Sequence, residues 1–322
     1  MVESMYKYYA VLGMCFMIIN NIALASLDIC AKILTQSITP AQIVFAYKLI
    51  LFIVTLPWVL FKGLQLLKTS EIKIHFLRSF FSVLGGICFY KGLENIKIAD
   101  AAALENLQYI ILAIIGMAFF NEGWSKTKII SIMLGFIGAI IIVNPQLFTS
   151  SEYKLNISSY YVYTILAIIF WSMNSVTVKL LGRTEKNRTQ LFYLLLFALM
   201  WSLPGAILKF DDVYLYGVKL PIIPNGLIDF SAFNLKWVHL KYIVIMALFY
   251  FVHSLAYFNA LKRDISVVAP FRYSKLIFSG IAGYMVFGEV PNNMQYLGYL
   301  LIMLSGFMLI RREVKNMKRA RS

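Results

Sequence analysis

Long runs with almost no charge recur along the whole of this chain, and they leave little choice of fold. A bilayer core about 30 Å thick is crossed by roughly 20 apolar helical residues. Ten runs meet that requirement: 9–31, 41–61, 75–92, 99–120, 127–144, 159–180, 190–209, 240–260, 266–287 and 294–311. Only 14% of the 322 residues are charged and 60% are hydrophobic, whereas a soluble domain carries about 25% charge. Barrel strands would alternate apolar and polar residues with a period of two, and that alternation is missing. The expectation is an all-α polytopic membrane protein with ten transmembrane helices in a lipid bilayer. Most links are short, so consecutive helices should be antiparallel neighbours.

The chain also repeats itself. The stretch 92–144, GLENIKIADAAALENLQYIILAIIGMAFFNEGWSKTKIISIMLGFIGAIIIVN, returns as 260–311, ALKRDISVVAPFRYSKLIFSGIAGYMVFGEVPNNMQYLGYLLIMLSGFMLIR. In each copy a hydrophobic helix ends near a glutamate, Glu122 or Glu289. A second helix with spaced small residues follows (Gly135 and Gly138; Gly298 and Gly306). The two glutamates are 167 positions apart, and so are Glu105 and Arg272, and Tyr90 and Tyr257. The first spans correspond as well: NNIALASLDICAKIL (20–34) aligns with AIIFWSMNSVTVKLL (167–181), which sets Lys32 opposite Lys179. Repetition at half length implies two related halves, residues 1–150 and 151–322, joined by the polar stretch Pro145–Ser158. Lys7 and the run ending Ala23-Leu24-Ala25 have some look of a cleavable signal. The counterpart in the second half argues instead for a retained first span.

Lysine and arginine counts give the orientation. With a cytoplasmic N-terminus, 19 of the 30 basic residues fall inside, counting Arg78 and the tail Arg311–Arg321. Eight fall outside, and Lys48, Arg272 and Lys275 lie within spans. Both termini are expected inside. Five spans per half is an odd number, so the two five-helix repeats are inverted, an architecture of many secondary transporters. The net charge of +15 is explained by this topology, and no nucleic-acid partner is expected. Cys15, Cys30 and Cys88 sit in apolar surroundings without CxxC spacing. They read as packing residues, with no metal or cofactor implied. The long connection Phe210–His239 faces outside and reads as a surface-lying or disordered loop, with a lid as the alternative.

Ten spans in two five-helix halves, a lysine ending the first span of each half, and the segment APFRYSKLIFSGIAGYMVFGEVP (269–291) resemble the EamA branch of the drug/metabolite transporter superfamily over essentially the whole chain. Where such carriers often have a proline in the fourth span, this chain has Tyr109, which removes the basis for a proline kink there. The resemblance implies an inner-membrane carrier of a small metabolite, working by alternating access as a monomer or homodimer. Substrates in the family include amino acids and their derivatives, nucleotide-related compounds and toxic amphiphiles. The S-adenosylmethionine uptake carriers of intracellular bacteria are similar, which makes S-adenosylmethionine the named candidate. Export of amino acids or amphiphiles is the alternative. A lipid-linked transferase would want a dense polar cluster at one interface, and the sequence has none.

A charge at membrane depth costs a few kcal/mol, so intramembrane polar residues are the candidate site. Glu105 and Gln108 share one helix face by their i, i+3 spacing, as do Arg272 and Lys275. They read as a negative and a positive wall of one cavity, with a structural ion pair or snorkelling as the competing readings. Each charge lies about six residues into its helix, which sets Glu105 and Arg272 roughly 12 Å apart in depth. A bridging substrate or water is therefore favoured over a direct bond between them. Lys48 either joins the site or snorkels to the interface. Asp28 is the proton-coupling candidate, with Lys32, four residues on, as an alternative partner. Asn174, with Asn20, Asn21 and Ser175, is a polar position of the related first and sixth spans. Tyr90, Tyr257, Tyr109, Tyr273, Trp171 and Tyr250 offer faces for a planar or cationic group. His253 reads as a hydrogen-bonded packing residue, and Glu122 and Glu289 as hinge residues.

Overall fold

The computed structural model describes residues 2–61, 67–119, 126–145, 158–181, 184–215, 218–228, 236–261 and 269–321. Helices α1 (Val2–Leu34), α2 (Pro40–Phe61), α3 (Ile72–Leu93), α4 (Ile98–Glu105), α5 (Leu107–Phe119), α6 (Lys126–Val143), α7 (Ser159–Leu181) and α8 (Asn187–Ile207) come first. Strands β1 (Leu208–Leu215) and β2 (Val218–Ile228) follow, then α9 (Trp237–Leu261), a 3-10 turn (Ala269–Tyr273), α10 (Ser274–Phe287) and α11 (Asn293–Arg321).

The helices are inside-out relative to those of a water-soluble protein. Along α6, Ile129, Ile130, Met133, Phe136, Ile137 and Ile140 are exposed, while Ser131, Gly135, Gly138 and Ala139 are buried. Only lipid tolerates so apolar an outer face. Between helices there is then no hydrophobic gain, and close packing of small residues takes over. Among the described residues, nine helical segments are long and apolar enough to cross a membrane. The predicted ninth span, 266–287, is the exception. Its residues 266–268 lie outside the described ones, and the rest is the 3-10 turn followed by the 14-residue α10. The expected irregular loop after α8 contains an antiparallel pairing of β1 with β2, from Leu208 opposite Ile228 to Leu215 opposite Val218.

Two compact units form. One comprises residues 1–29, 96–158 and 248–322, the other residues 30–95 and 159–247. Each takes helices from both sequence halves: a repeat relates segments by descent, whereas a unit groups what packs together. In the first unit α6 and α11 cross at Gly138 and Gly298. A Cβ on either would stand 2.8 Å from the other's carbonyl oxygen, and the Ser305 hydroxyl donates to the Ser131 carbonyl at 2.6 Å.

In the second unit α3 packs on α7 and α8. Arg78, assigned to a cytoplasmic segment by the charge count, is buried there and donates to Gln190 Oε1 at 2.9 Å. Phe76 and Phe80 pack on Trp201, each with ring centres 4.8 Å apart.

In the first unit one span is broken and another opens with an irregular turn. The fourth breaks at Asn106, between α4 and α5. There the Asn106 N–H bonds the Ala103 carbonyl three residues back, and its side-chain amide returns to the Ala102 carbonyl at 3.0 Å. The ninth changes from 3-10 to α geometry between Tyr273 and Ser274. Asn106 and Tyr273 are 167 positions apart.

Candidate functional site

The 3-10 turn before α10 leaves carbonyl groups outside a regular α-helical ladder, and in a membrane such groups need partners. α1 supplies them. The Asn21 side-chain amide donates to the Phe271 carbonyl at 2.8 Å and the Arg272 carbonyl at 3.2 Å, and lies 2.9 Å from the Ser274 hydroxyl. Asn20 supports Asn21, its amide donating to Asn21 Oδ1 at 2.8 Å. The free Asn20 Oδ1 then lies 2.6 Å from His253 Nδ1. With the amide nitrogen committed to Asn21, this oxygen accepts, which places the proton on Nδ1. The expected packing role of His253 is thereby a link from α9 through α1 to the 3-10 turn.

Two helical turns beyond Asn21, and so on the same face of α1, stands Asp28. Its Oδ2 lies 2.8 Å from Lys275 Nζ, in the first turn of α10. The same ammonium donates to both oxygens of Glu105, at 2.7 and 2.6 Å. Two carboxylates thus share one lysine. Asp28 is only 3% exposed, and its Oδ2 has charge proximity to Lys275 but no hydrogen bond of proper geometry.

Arg272 is held differently. Its guanidinium carbon stands 4.6 Å from the centre of the Tyr109 ring and 5.6 Å from that of Tyr257. Among the described residues no carboxylate lies within ion-pairing distance of it. Tyr273 leans toward Tyr109 with ring centres 6.4 Å apart, and Tyr257 stacks on His253 at 5.9 Å. The Tyr273 hydroxyl end rests against Gly306 of α11, where any side chain would collide with it.

Set against the sequence expectations, the structure gathers Asp28, Glu105, Tyr109, Tyr257, Arg272, Tyr273 and Lys275 in one unit, with Gln108 in the first turn of α5. The picture of an acceptor wall facing a donor wall is corrected. Lys275 closes directly on Glu105, and Arg272 has no acid within ion-pairing distance among the described residues. The depth estimate treated both spans as continuous helices. Glu105 in fact ends α4, and Lys275 lies a turn further along the ninth span than Arg272. Asp28 pairs with Lys275, the alternative partner Lys32 notwithstanding.

Lys48, Tyr90, Trp171 and Asn174 belong to the other unit. Lys48 does not snorkel: it is 1% exposed and donates to the Ser82 hydroxyl at 3.1 Å. Trp171 packs in the seam between α3 and α7, on Gly85 and with its ring 4.9 Å from Phe89. Tyr90 is buried in the same helix pair. Asn174 has a buried Oδ1 without a hydrogen-bond partner. Glu122 lies outside the described residues. Glu289 follows Gly288, which caps α10 in the left-handed region with φ 66°, and its Oε2 accepts the Ile98 N–H at 2.8 Å. The expected hinge residue therefore anchors the start of α4.

Sequence reasoning passed over a neighbouring cluster. Asp100 is fully buried, with its carboxylate accepting from the Tyr299 hydroxyl and from Gln295 Nε2 at 2.8 Å. Lys97 donates to Gln295 Oε1 and to the Val290 carbonyl, both at 2.8 Å. An acid in the first turn of an apolar span was the available signal.

Apolar outer surfaces, nine membrane-length helices among the described residues and charge buried between helices define a multi-pass membrane protein with a polar interior cluster. The profile of the EamA-like transporter family matches residues 11–144 and again residues 158–311. The chain belongs to the EamA-like transporter family, and is a small-metabolite transporter and not an enzyme. It is 24% identical over 305 residues to an S-adenosylmethionine uptake transporter of Rickettsia prowazekii, covering 95% of this chain and 94% of the relative. It is 29% identical over 313 residues to a riboflavin transporter of Vibrio cholerae, covering 96% and 94%. A solved crystal structure shares the fold, with a TM-score of 0.54, 14% identity, and coverage of 95% of this chain and 98% of that one.

Proposed function

We propose that the protein is a secondary carrier that moves a small polar metabolite across the bacterial inner membrane by alternating access, with S-adenosylmethionine as the first candidate substrate. The observation that carries this reading is the coincidence of a broken span and an irregular helix start with buried charge. Glu105 adjoins the break at Asn106, and Arg272 and Lys275 flank the junction at Tyr273. Discontinuous helices beside a polar site are how secondary transporters present backbone and charge to a solute within the membrane. Two separate matches to one family profile support the reading of two related halves. Their odd number of spans makes the repeat inverted, and the excess of basic residues on one side supports cytoplasmic termini.

Riboflavin is the second candidate, on the strength of the relative at 29% identity. Uptake of labelled S-adenosylmethionine, riboflavin, amino acids and nucleotides into cells expressing the chain, against cells with an empty vector, separates the two. Accumulation of S-adenosylmethionine is expected. Failure of every solute to exchange across the membrane in either direction would sink the carrier reading.

A further inference from the structure

One buried acceptor of this site lacks a hydrogen bond of proper geometry, and one half-buried cation has no acid partner among the described residues. A carboxylate is an acceptor only, and buried acceptors are normally hydrogen-bonded. Asp28 Oδ2 is buried 2.8 Å from Lys275 Nζ without a hydrogen bond of proper geometry, while the same ammonium donates to both oxygens of Glu105. Arg272 presents a planar fork of five N–H donors that suits a carboxylate. It is steadied on the faces of Tyr109 and Tyr257 and has no acid within ion-pairing distance among the described residues. Arg272 lies in the 3-10 turn, and Lys275 stands three residues on, in the first turn of α10. Asp28 pairs with Lys275 at 2.8 Å, and Asn21 on the same helix donates to the Arg272 carbonyl, so α1 runs beside both cations.

From this, and resting on the carrier reading above, we infer that the site recognises the α-amino acid head group of its substrate. Arg272 takes the carboxylate and Asp28 takes the ammonium. The ammonium brings the hydrogen-bond donors that Asp28 lacks, and the carboxylate brings the acid that Arg272 lacks. Glu105 and Lys275 keep each other neutral and position Asp28 without touching the solute. The charges balance throughout. The site holds two carboxylates, Asp28 and Glu105, and two cations, Lys275 and Arg272, and a zwitterionic head group adds one of each. A solute that lacks either pole leaves one buried charge exposed to the low dielectric, and it is rejected for that reason.

The test is competition for uptake, and ligand-induced thermal stabilisation of the purified protein. The probes are S-adenosylmethionine, its decarboxylated form, which keeps the ammonium, and N-acetyl-S-adenosylhomocysteine beside S-adenosylhomocysteine, which differ only at the amino group. The wild type is expected to prefer the carboxylate-bearing and the free-amino forms by at least about tenfold, the value of one charge-assisted hydrogen-bond pair. Arg272→Gln is expected to bring the carboxylate preference within about twofold while keeping the amino preference, and Asp28→Asn the reverse. Arg272→Lys and Asp28→Glu should retain part of each preference. A purely structural role for these residues would lower stability and leave both ratios at wild-type values, which overturns the inference. Equal binding of S-adenosylmethionine and its decarboxylated form by the wild type overturns it without any variant. If the wild type does not bind S-adenosylmethionine, the substrate assignment fails separately, and phenylalanine against phenethylamine poses the same question. Binding of riboflavin with no amino acid bound would then overturn the head-group inference.

Discussion

Arg272 holds its guanidinium carbon 4.6 Å from the centre of the Tyr109 ring. The contact is a cation–π interaction in a partly desolvated setting, worth about 0.5–2 kcal/mol. It fixes the direction of the donor fork, so its loss should be felt by the solute. Tyr109→Leu is expected to raise the KM for uptake by roughly 2- to 30-fold, that energy range converted. Tyr109→Phe keeps the ring face and should stay near wild type. Equal kinetics for Leu and Phe at this position would show that the ring does not orient Arg272. The measurement is initial-rate uptake of the labelled substrate.

Lys275 is the common partner of Glu105 and Asp28. Replacing it by methionine leaves two carboxylates close together in an apolar region, and breaking a buried pair costs about 3–5 kcal/mol. Lys275→Met is therefore expected to lower the thermal midpoint in detergent strongly. The triple variant Lys275→Met, Glu105→Gln, Asp28→Asn removes the stranded charges and should recover much of the loss. A triple variant no more stable than the single one would mean that Lys275 stabilises through packing alone.

The spans were legible in the sequence because hydropathy depends only on composition over about 20 residues. The breaks were not, for the same reason. Asn106 and Tyr273 sit inside apolar runs that score as continuous spans, and Tyr109 stands where a proline would have drawn attention to the fourth. The break forms without a proline, three residues earlier. The pairing of Lys275 with Glu105 was hidden by that error, since depth along a straight helix misplaces both. Glu105 and Arg272 themselves were found by the cost of charge in a membrane, and Asp28 by the same argument. Asp100 was missed because an acid in a helix's first turn ordinarily needs no further explanation. Its partners Gln295 and Tyr299 lie almost 200 positions away, beyond any local pattern.

Asn21 donates to two carbonyls of the 3-10 turn that leads into α10. Leucine is close in volume and has no donor. Asn21→Leu should cost about 1–3 kcal/mol, the penalty for leaving a buried polar group without its partner. Asn21→Asp should be worse, because a carboxylate cannot donate to those carbonyls and repels them. Thermal unfolding of the purified variants checks the order wild type, Leu, Asp. Equal midpoints would show that other donors satisfy the turn.

Gly138 and Gly298 face each other across α6 and α11, and each leaves no room for a methyl group because the other's carbonyl oxygen stands 2.8 Å from the Cβ position. Backbone must move to admit alanine there. Gly138→Ala and Gly298→Ala should each destabilise by about 1–3 kcal/mol, the usual cost of overpacking. Because both disturb one contact, the double variant should lose less than the sum of the singles. Gly280, in α10, supplies the control: a Cβ there meets nothing within 4 Å. Alanine is the better helix former by about 1 kcal/mol, so Gly280→Ala should be neutral or stabilising. Helix propensity alone would make all three substitutions stabilising. The opposite signs at Gly138 and Gly280, read from thermal midpoints under one set of conditions, therefore isolate the close crossing of α6 and α11 as the reason those two glycines are needed.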